Sequence, residues 1–574
     1  MRLSSRVFLP RHAALQETGP DPLKRISVGC GMRRIAMNFI QGALLAAALV
    51  VMGVSARADM AGKKLIEYGQ GFPDTKFYKE HVREMEKVGF DGVVIRVAGP
   101  ADEWSLGYKV FTRARIDPSA IEGPIADLKA VHSDVLTDNF VQVAGAVPAD
   151  VDWFDPDWSA ACHNAALMAR VAKQGGLKGL MIDPEEYGER HPWTYAALSD
   201  THTFEEYRDK VRQRGREFVR AINAEYPNIT ILFLLGPSFG HKARPVGKPE
   251  ESDYALLPVF IDGMCEAAAP GTVIVDGYEQ SYPFRRLGFF QKARSEILGK
   301  CKKLSLCPAE YAEHVRVGFG VWVDQDRARV GWHPEDFNKN YYAPAEFRNS
   351  LAYALQTSDK YVWVWSEAPR WWEPNGIPEP YKEALRLARK GPVPIADRNF
   401  PYPPNPPDAA KMPGYSDEET FAEFRKTMTE VMDFPKDGWR FARDPDGKGE
   451  AAGYYAADFD DSAWRTISIA KFWQQQGEYF NGDAWYRRTV DIPKLPARRK
   501  VCVAVGAADE GAVLYVNGRY AGRHDIGPIG WTVPFLIDVT RLIKPGKPNL
   551  FAFRVIDTSG LGGLWKSIKL MIER

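Results

Sequence analysis

Residues 179–187 read Gly-Leu-Met-Ile-Asp-Pro-Glu-Glu-Tyr (GLMIDPEEY). A short apolar run that ends on acids and a proline predicts a buried strand whose carboxyl end opens into a loop. The same unit recurs on both sides. Apolar runs lie at 64–68, 92–97, 140–144, 179–182, 229–235, 272–275, 315–323 and 361–365. Between them stand amphipathic stretches such as 76–88, 159–174, 203–226 and 344–357, each with a face able to cover a sheet. Strands alternating with helices pair in parallel through right-handed crossovers. Eight such units in roughly 330 residues is the count that closes a (β/α)8 TIM barrel. The alternative is an open doubly wound sheet, but no GxGxxG turn follows the first run.

The 574-residue chain is 45% hydrophobic and 26% charged, which excludes disorder as the dominant state and, at this length, a single small domain. Lys and Arg number 75 against 74 Asp and Glu, so nothing in the charge suits the chain to nucleic acid. At the N-terminus, Arg33 and Arg34 precede an apolar run at 39–54 and then Ala56-Arg57-Ala58. That order predicts a signal peptide, because the run is shorter than a membrane-spanning helix and ends at a small-x-small cleavage pattern. Export to the periplasm or beyond is therefore expected, with no membrane span left after cleavage. Removing 1–58 takes away eight Lys/Arg and two Asp/Glu, which leaves a mildly acidic mature chain. Five cysteines then remain, and Cys265 bridged to Cys301 or Cys307 is the expected disulfide, with buried free thiols as the alternative.

Composition changes after the eighth run. Residues 391–414 are dense in proline, which fixes φ and removes donors, and so read as a stiff connector; a short helical piece at 417–432 follows. From about 438 short alternating runs are punctuated by Asn517-Gly518 and by Pro545-Gly546, the texture of a β-sandwich. In order come Phe459-Asp460-Asp461-Ser462-x-Trp464, Ala484-Trp485-Tyr486-Arg487-Arg488, Val516-Asn517-Gly518, Asp538-Val539-Thr540 and Gly562-Gly563-Leu564-Trp565. Over residues 438–574 these segments resemble the sugar-binding jelly-roll domain of the beta-galactosidase and beta-glucuronidase family. The resemblance implies a galactose-binding-like sandwich and stops short of that family's barrel, which normally follows this domain and would here precede it. The expected organisation is a leader at 1–58, a catalytic barrel at 59–390, a Pro-rich linker with a short helix at 391–437, and the jelly roll at 438–574.

Catalytic groups of such barrels lie at the carboxyl ends of the strands. After the first run come Glu67 and Tyr68; after the second, Arg96; after the fourth, Asp183, Glu185, Glu186 and Tyr187. After the sixth come Tyr278 and Glu279; after the seventh, Trp322 and Asp324; after the eighth, Trp365 and Glu367, with Trp371 and Trp372 beyond. Cleaving a glycosidic bond needs one carboxylic acid to protonate the leaving oxygen and a second carboxylate at the oxocarbenium-like centre. Carboxylates held close raise one another's pKa, and flat aromatic rings offer apolar area to sugar rings. Side chains alternate along a strand, so Asp183 and Glu185 are expected to face inward and Glu186 aside, unless Asp-Pro-Glu-Glu instead opens a helix.

The expected roles follow. Glu185 is the general acid, Glu279 or Glu367 its partner, and Asp183 tunes or orients the acid. Glu67, Arg96, Tyr187, Tyr278, Trp322, Asp324, Trp365, Trp371 and Trp372 are expected to bind substrate. The pattern at Asp183-x-Glu185, Tyr278-Glu279 and Val364-Trp365-Ser366-Glu367 is also similar to strand ends of chitinase-like hydrolases, although Gly179 and Met181 stand where that family carries further acids. General retaining barrel glycosidases place the nucleophile after the seventh strand, where this chain offers only Asp324. With no HExxH or GxxxxGK[ST] pattern, neither a metal nor a cofactor is expected. The chain reads as an exported glycoside hydrolase acting on the O-glycosidic bonds of an oligo- or polysaccharide. The alternatives are a non-catalytic carbohydrate-binding protein and a polysaccharide lyase.

Overall fold

The computed structural model describes residues 60–574 apart from 61, 101–103, 146–150, 187–190, 243–249, 251, 326–330, 396–397, 399–407, 413–414, 446, 526–527 and 559. The leader and Tyr187 lie outside the described residues. Nine parallel strands form the first sheet: β1 (Lys64–Glu67), β2 (Gly92–Ile95), β3 (Phe140–Ala144), β4 (Gly179–Asp183), β5 (Thr230–Phe233), β6 (Val273–Asp276), β7 (Val315–Val317), β8 (Phe319–Trp322) and β9 (Tyr361–Trp365). Their order is β7-β6-β5-β4-β3-β2-β1-β9-β8. Because β7 and β8 are one run broken only at Gly318, the ends meet and the cylinder closes with eight staves. Gly318 marks the change of partner: β7 pairs with β6 and β8 with β9. A Cβ there would stand 2.8 Å from Val275 Cγ1. The barrel is thus the expected one, with each predicted run becoming a stave.

Both faces of the staves are buried, as parallel sheets require. Outward residues such as Leu65, Val93, Val141, Leu180, Ile231 and Phe233 pack on the helices. Inward residues Ile66, Val94, Phe140, Met181, Leu232, Val275 and Trp363 form a separate core inside the cylinder. Trp363 fills the centre and donates its indole N–H to the Gly277 carbonyl at 2.8 Å. Gly320 makes room for it, since a Cβ at 320 would stand 2.7 Å from the Trp363 ring and 2.9 Å from Tyr282. The predicted helices form at Thr75–Met85, Ser159–Gln174, Phe204–Glu225 and Pro344–Thr357. The Asp74 carboxylate caps the first by accepting from the Phe77 amide at 2.8 Å, and Thr203 with Glu206 forms a capping box on the third. No helix among the described residues is long and apolar enough to cross a membrane. All five described cysteines are free thiols; the Cys265 and Cys307 thiols are hydrogen-bonded neighbours rather than a bridge.

The second half is a sandwich of two antiparallel sheets. Its strands are β10 (Met428–Asp433), β11 (Trp439–Asp444), β12 (Arg465–Ile467), β13 (Gly482–Asp491), β14 (Val501–Val505), β15 (Gly511–Val516), β16 (Arg519–Asp525), β17 (Phe535–Asp538), β18 (Pro548–Asp557) and β19 (Ile568–Glu573). The sheets are ordered β10-β19-β14-β17 and β12-β11-β13-β18-β15-β16. Asn517 and Gly518, at φ +52° and +77°, make the tight turn between β15 and β16. One expectation fails: the helix predicted over 417–432 is two short turns at Asp417–Thr420 and Ala422–Arg425, followed by β10. Pairing with β19 overrides local preference there, with a register shift between Glu430 and Met432. The segments that carry the jelly-roll resemblance work as fasteners. Arg487 crosses to Asp461 at 2.7 Å and to the Ala456 carbonyl at 3.0 Å, and the Trp565 indole donates to the Trp531 carbonyl at 2.6 Å.

Candidate active site

At the carboxyl end of β1, Tyr68 turns into the cylinder, and its buried hydroxyl is the point on which the mouth converges. Its pKa is driven well above the usual phenol range by burial and then by the negative charges of Asp183, Glu185 and Glu279, with Tyr108 also facing it. Three carboxylates from two staves therefore act on one hydroxyl, two from the end of β4 and one from the turn after β6. Asp183 is pushed up to about 7, first by burial and second by repulsion from Glu185. Its carboxylate accepts the Glu185 amide at 3.1 Å, an Asx turn that carries the chain away from the strand without starting a helix. Gly145 on the neighbouring stave lets this turn pass close, since a Cβ there would stand 2.7 Å from Pro184 Cα. Glu186 turns aside as expected: its carboxylate takes the Trp193 amide at 2.5 Å and the Thr194 hydroxyl at 3.0 Å, and its own amide donates to the Tyr254 hydroxyl at 2.8 Å.

Glu279 reaches the mouth through a strained corner. Tyr278 adopts φ +42°, a left-handed conformation unusual for an aromatic residue, where the chain leaves β6. Glu279, only 5% exposed, is set inward, and its amide donates to the Leu234 carbonyl at 3.2 Å. Buried Asp276 holds the corner by accepting the Tyr278 amide at 3.2 Å and the Ser238 amide at 2.9 Å. Gly236 is required beside it, since a Cβ would stand 2.2 Å from the Asp276 carboxyl carbon.

Several residues read from the sequence as substrate-binding face elsewhere. Tyr278 points outward into the helix layer, 3.3 Å from Glu296, as alternation from inward Val275 requires. Trp371 and Trp372 pack behind the barrel wall against Phe90, at 4.9 and 6.0 Å between ring centroids. Glu67 alternates outward from Tyr68. Buried at 2% exposure, it is pushed up to about 8 by burial, against which the Gly69 amide, Arg370 and the Trp372 indole pull it down. Asp324 is a clasp: it accepts the Trp322 indole and the Ala368 amide at 2.8 Å and the Glu367 amide at 2.9 Å. Glu367 is exposed at the rim and accepts the Trp365 indole at 2.9 Å.

Trp322 and Trp365 do line the interior at the mouth, with Trp365 5.1 Å from Tyr68 and Trp322 5.5 Å from Tyr282. Arg96 is at the rim but is spoken for. It pairs with Asp74 at 2.9 Å, donates to the Trp104 carbonyl at 2.7 Å and lies 3.9 Å over the Trp104 ring. Two exposed aromatics escaped the sequence reading: Trp104 and Tyr108 flank a short turn that Ser105 ties to Gln142 of β3 at 2.9 Å. They stand well beyond the end of β2, so reading only the residues at each strand end misses them. Among the described residues, the one place where acids converge closely enough for a metal is in the sandwich, where Asp509, Glu510 and Asp557 bring oxygens within 4.8 Å of one another. The cavity of about 810 Å3 where barrel and sandwich meet, lined by Arg286, Asp483 and Arg554 among others, includes none of the mouth carboxylates.

No family model matches the chain. Part of the sequence is 28% identical over 114 residues to a beta-glucuronidase of Paenibacillus borealis, covering 19% of this chain and 18% of that protein. A second beta-glucuronidase, from Formosa agariphila, is 25% identical over 117 residues, with 18% and 12% covered. A beta-galactosidase of Thermoanaerobacter pseudethanolicus is 27% identical over 139 residues, with 21% and 18% covered. Among solved structures, a beta-glucuronidase from Ruminococcus gnavus aligns over 26% of this chain and 30% of its own at 16% identity and a TM-score of 0.23. The chain spans less than a fifth of the length of these curated relatives. Over one domain's length, then, this barrel-and-sandwich chain is similar to beta-glucuronidases and beta-galactosidases.

Proposed function

We propose that the barrel is a glycoside hydrolase, with Glu185 as general acid, Glu279 as the partnering carboxylate and Asp183 as the group that sets their protonation. The convergence of Asp183, Glu185 and Glu279 on the Tyr68 hydroxyl carries this reading. It provides two chemically different acids side by side. Asp183, raised to about 7, keeps a proton near neutrality, which relieves repulsion and lets the other carboxylates take separate roles. Glu279 is favoured over Glu367 because it is buried at the centre, whereas Glu367 is held at the rim. Export by the leader belongs to the same proposal, and mass spectrometry of the mature N-terminus in the expressing cell tests it.

Reducing-sugar release from a panel of glycans tests the chemistry. Wild type is expected to act on at least one member, and Glu185→Gln and Glu279→Gln to lose about 10²–10⁴-fold in kcat, the range for an acid–base group. Binding without turnover by wild type identifies a carbohydrate-binding protein instead, and an ultraviolet-absorbing unsaturated product identifies a lyase.

A further inference from the structure

The interior aromatics do not stop at the carboxylates. Trp365 meets Tyr68 at 5.1 Å, Tyr68 meets Phe72 at 5.3 Å, and Phe72 meets Trp104 at 6.2 Å. These rings form one arc whose middle, Tyr68 and Phe72, is buried at 4% and 5% exposure and whose ends, Trp365 and Trp104, reach the surface. Its outer end is prepared for a ligand. Trp104 is 51% exposed, yet it is not loose, because the Arg96 guanidinium is stacked on its ring at 3.9 Å. Arg96 is fixed in turn by Asp74, the cap of the Thr75–Met85 helix. An indole held in place on one face by a cation, with half its surface left in water, has already lost the rotamer freedom that binding would otherwise cost. A scattered exposed tryptophan needs no explanation; one locked into an arc that ends on acids does.

We propose that this arc is a stacking track for a saccharide chain, with Trp104 as its outer platform, so that the barrel acts on chains of several sugar units and gains from each added unit. The proposal rests on the glycosidase reading of the mouth and deepens it by naming the substrate class. Pyranose rings carry C–H faces that pack on flat aromatic rings, and a linear chain presents such faces at intervals, so one unit can lie on exposed Trp104 while another lies toward partly exposed Trp365. Inward from Trp104 the arc leads to Tyr68, on whose hydroxyl Asp183, Glu185 and Glu279 act.

The test combines a binding measurement that needs no turnover with a kinetic one. In native gels cast with soluble neutral polysaccharides, the Glu185→Gln protein is expected to be retarded by at least one of them. Adding Trp104→Ala should weaken that binding about tenfold, the scale of one stacked aromatic contact, while Trp104→Phe recovers most of it. With otherwise wild-type enzyme, kcat/KM is expected to rise with oligosaccharide length, and Trp104→Ala to flatten that rise. Circular dichroism and melting curves that match wild type establish that the variants are folded. Hydrolysis that does not rise with chain length, together with unchanged binding by Trp104→Ala, overturns the track and leaves the hydrolase standing. Trp104-dependent binding without hydrolysis keeps the track and overturns the hydrolase. Neither binding nor hydrolysis overturns both.

Discussion

Replacing Glu67 by glutamine isolates the energetics of a carboxyl group sealed behind the active-site wall. Its pKa in the folded protein is about 8 against a usual 4.5, and burial is the leading cause. A carboxyl raised in this way stabilises the fold relative to its ionised form. That contribution is fully present below the unfolded value of 4.5 and is lost as pH rises through the folded value of about 8. At roughly 1.4 kcal/mol per pKa unit, the loss across that window reaches about 5 kcal/mol at most. The substituted side-chain amide keeps the shape and an acceptor oxygen, but it cannot ionise. The assay is the free energy of urea unfolding for both proteins from about pH 5 to about pH 9. Asp183 and Glu510, each raised to about 7, also make both curves fall, so the informative quantity is the difference between them. Glu67→Gln should gain on wild type steadily across the window and level off above it. Parallel curves would show that Glu67 ionises in contact with water, and the outward, sealed placement would be wrong.

Other expectations follow from single contacts. Asp183→Asn, locked in the neutral form, should remove from the kcat/KM profile the decline that wild type shows as pH rises through about 7; an unchanged profile would detach Asp183 from the chemistry. Asp324→Ala orphans three donors that clasp β8 to β9 and should cost about 2–4 kcal/mol in urea unfolding; a cost under about 0.5 kcal/mol would deny the clasp. Gly320→Ala drives a methyl to within 2.7 Å of Trp363, so about 1–3 kcal/mol of overpacking should appear as a lowered Tm; an unchanged Tm would mean that the barrel centre is loose.

The barrel was legible because its signal is periodic and local: eight apolar runs became eight staves, and even the broken one, interrupted at Gly318, read as a single run. Direction at the strand ends was less legible. Alternation put Asp183 inward and Glu186 aside correctly, because the chain leaving β4 stays extended. After β6 the same alternation, counted from inward Val275, sends Tyr278 outward and Glu279 inward, so a tyrosine at a strand end is not thereby in the mouth. Nothing local to Trp371 or Trp372 distinguishes a residue in the mouth from one behind it, and only closure of the cylinder decides, whereas alternation between inward Ile66 and Tyr68 already turns Glu67 outward. Trp104 and Tyr108 return to the mouth on a turn remote from any strand end, and β10 hides in a segment whose own preference is weak and whose strand character comes from β19.

The central claim is that the mouth carboxylates add water across a glycosidic bond, and the direct measurement is mass spectrometry of products formed in heavy-oxygen water. The account predicts that wild type places one heavy oxygen at each newly formed reducing end, and that Glu185→Gln and Glu279→Gln form such product only at the residual rate. Unlabelled products carrying a double bond, or labelled product formed at wild-type rate by Glu279→Gln, would contradict it.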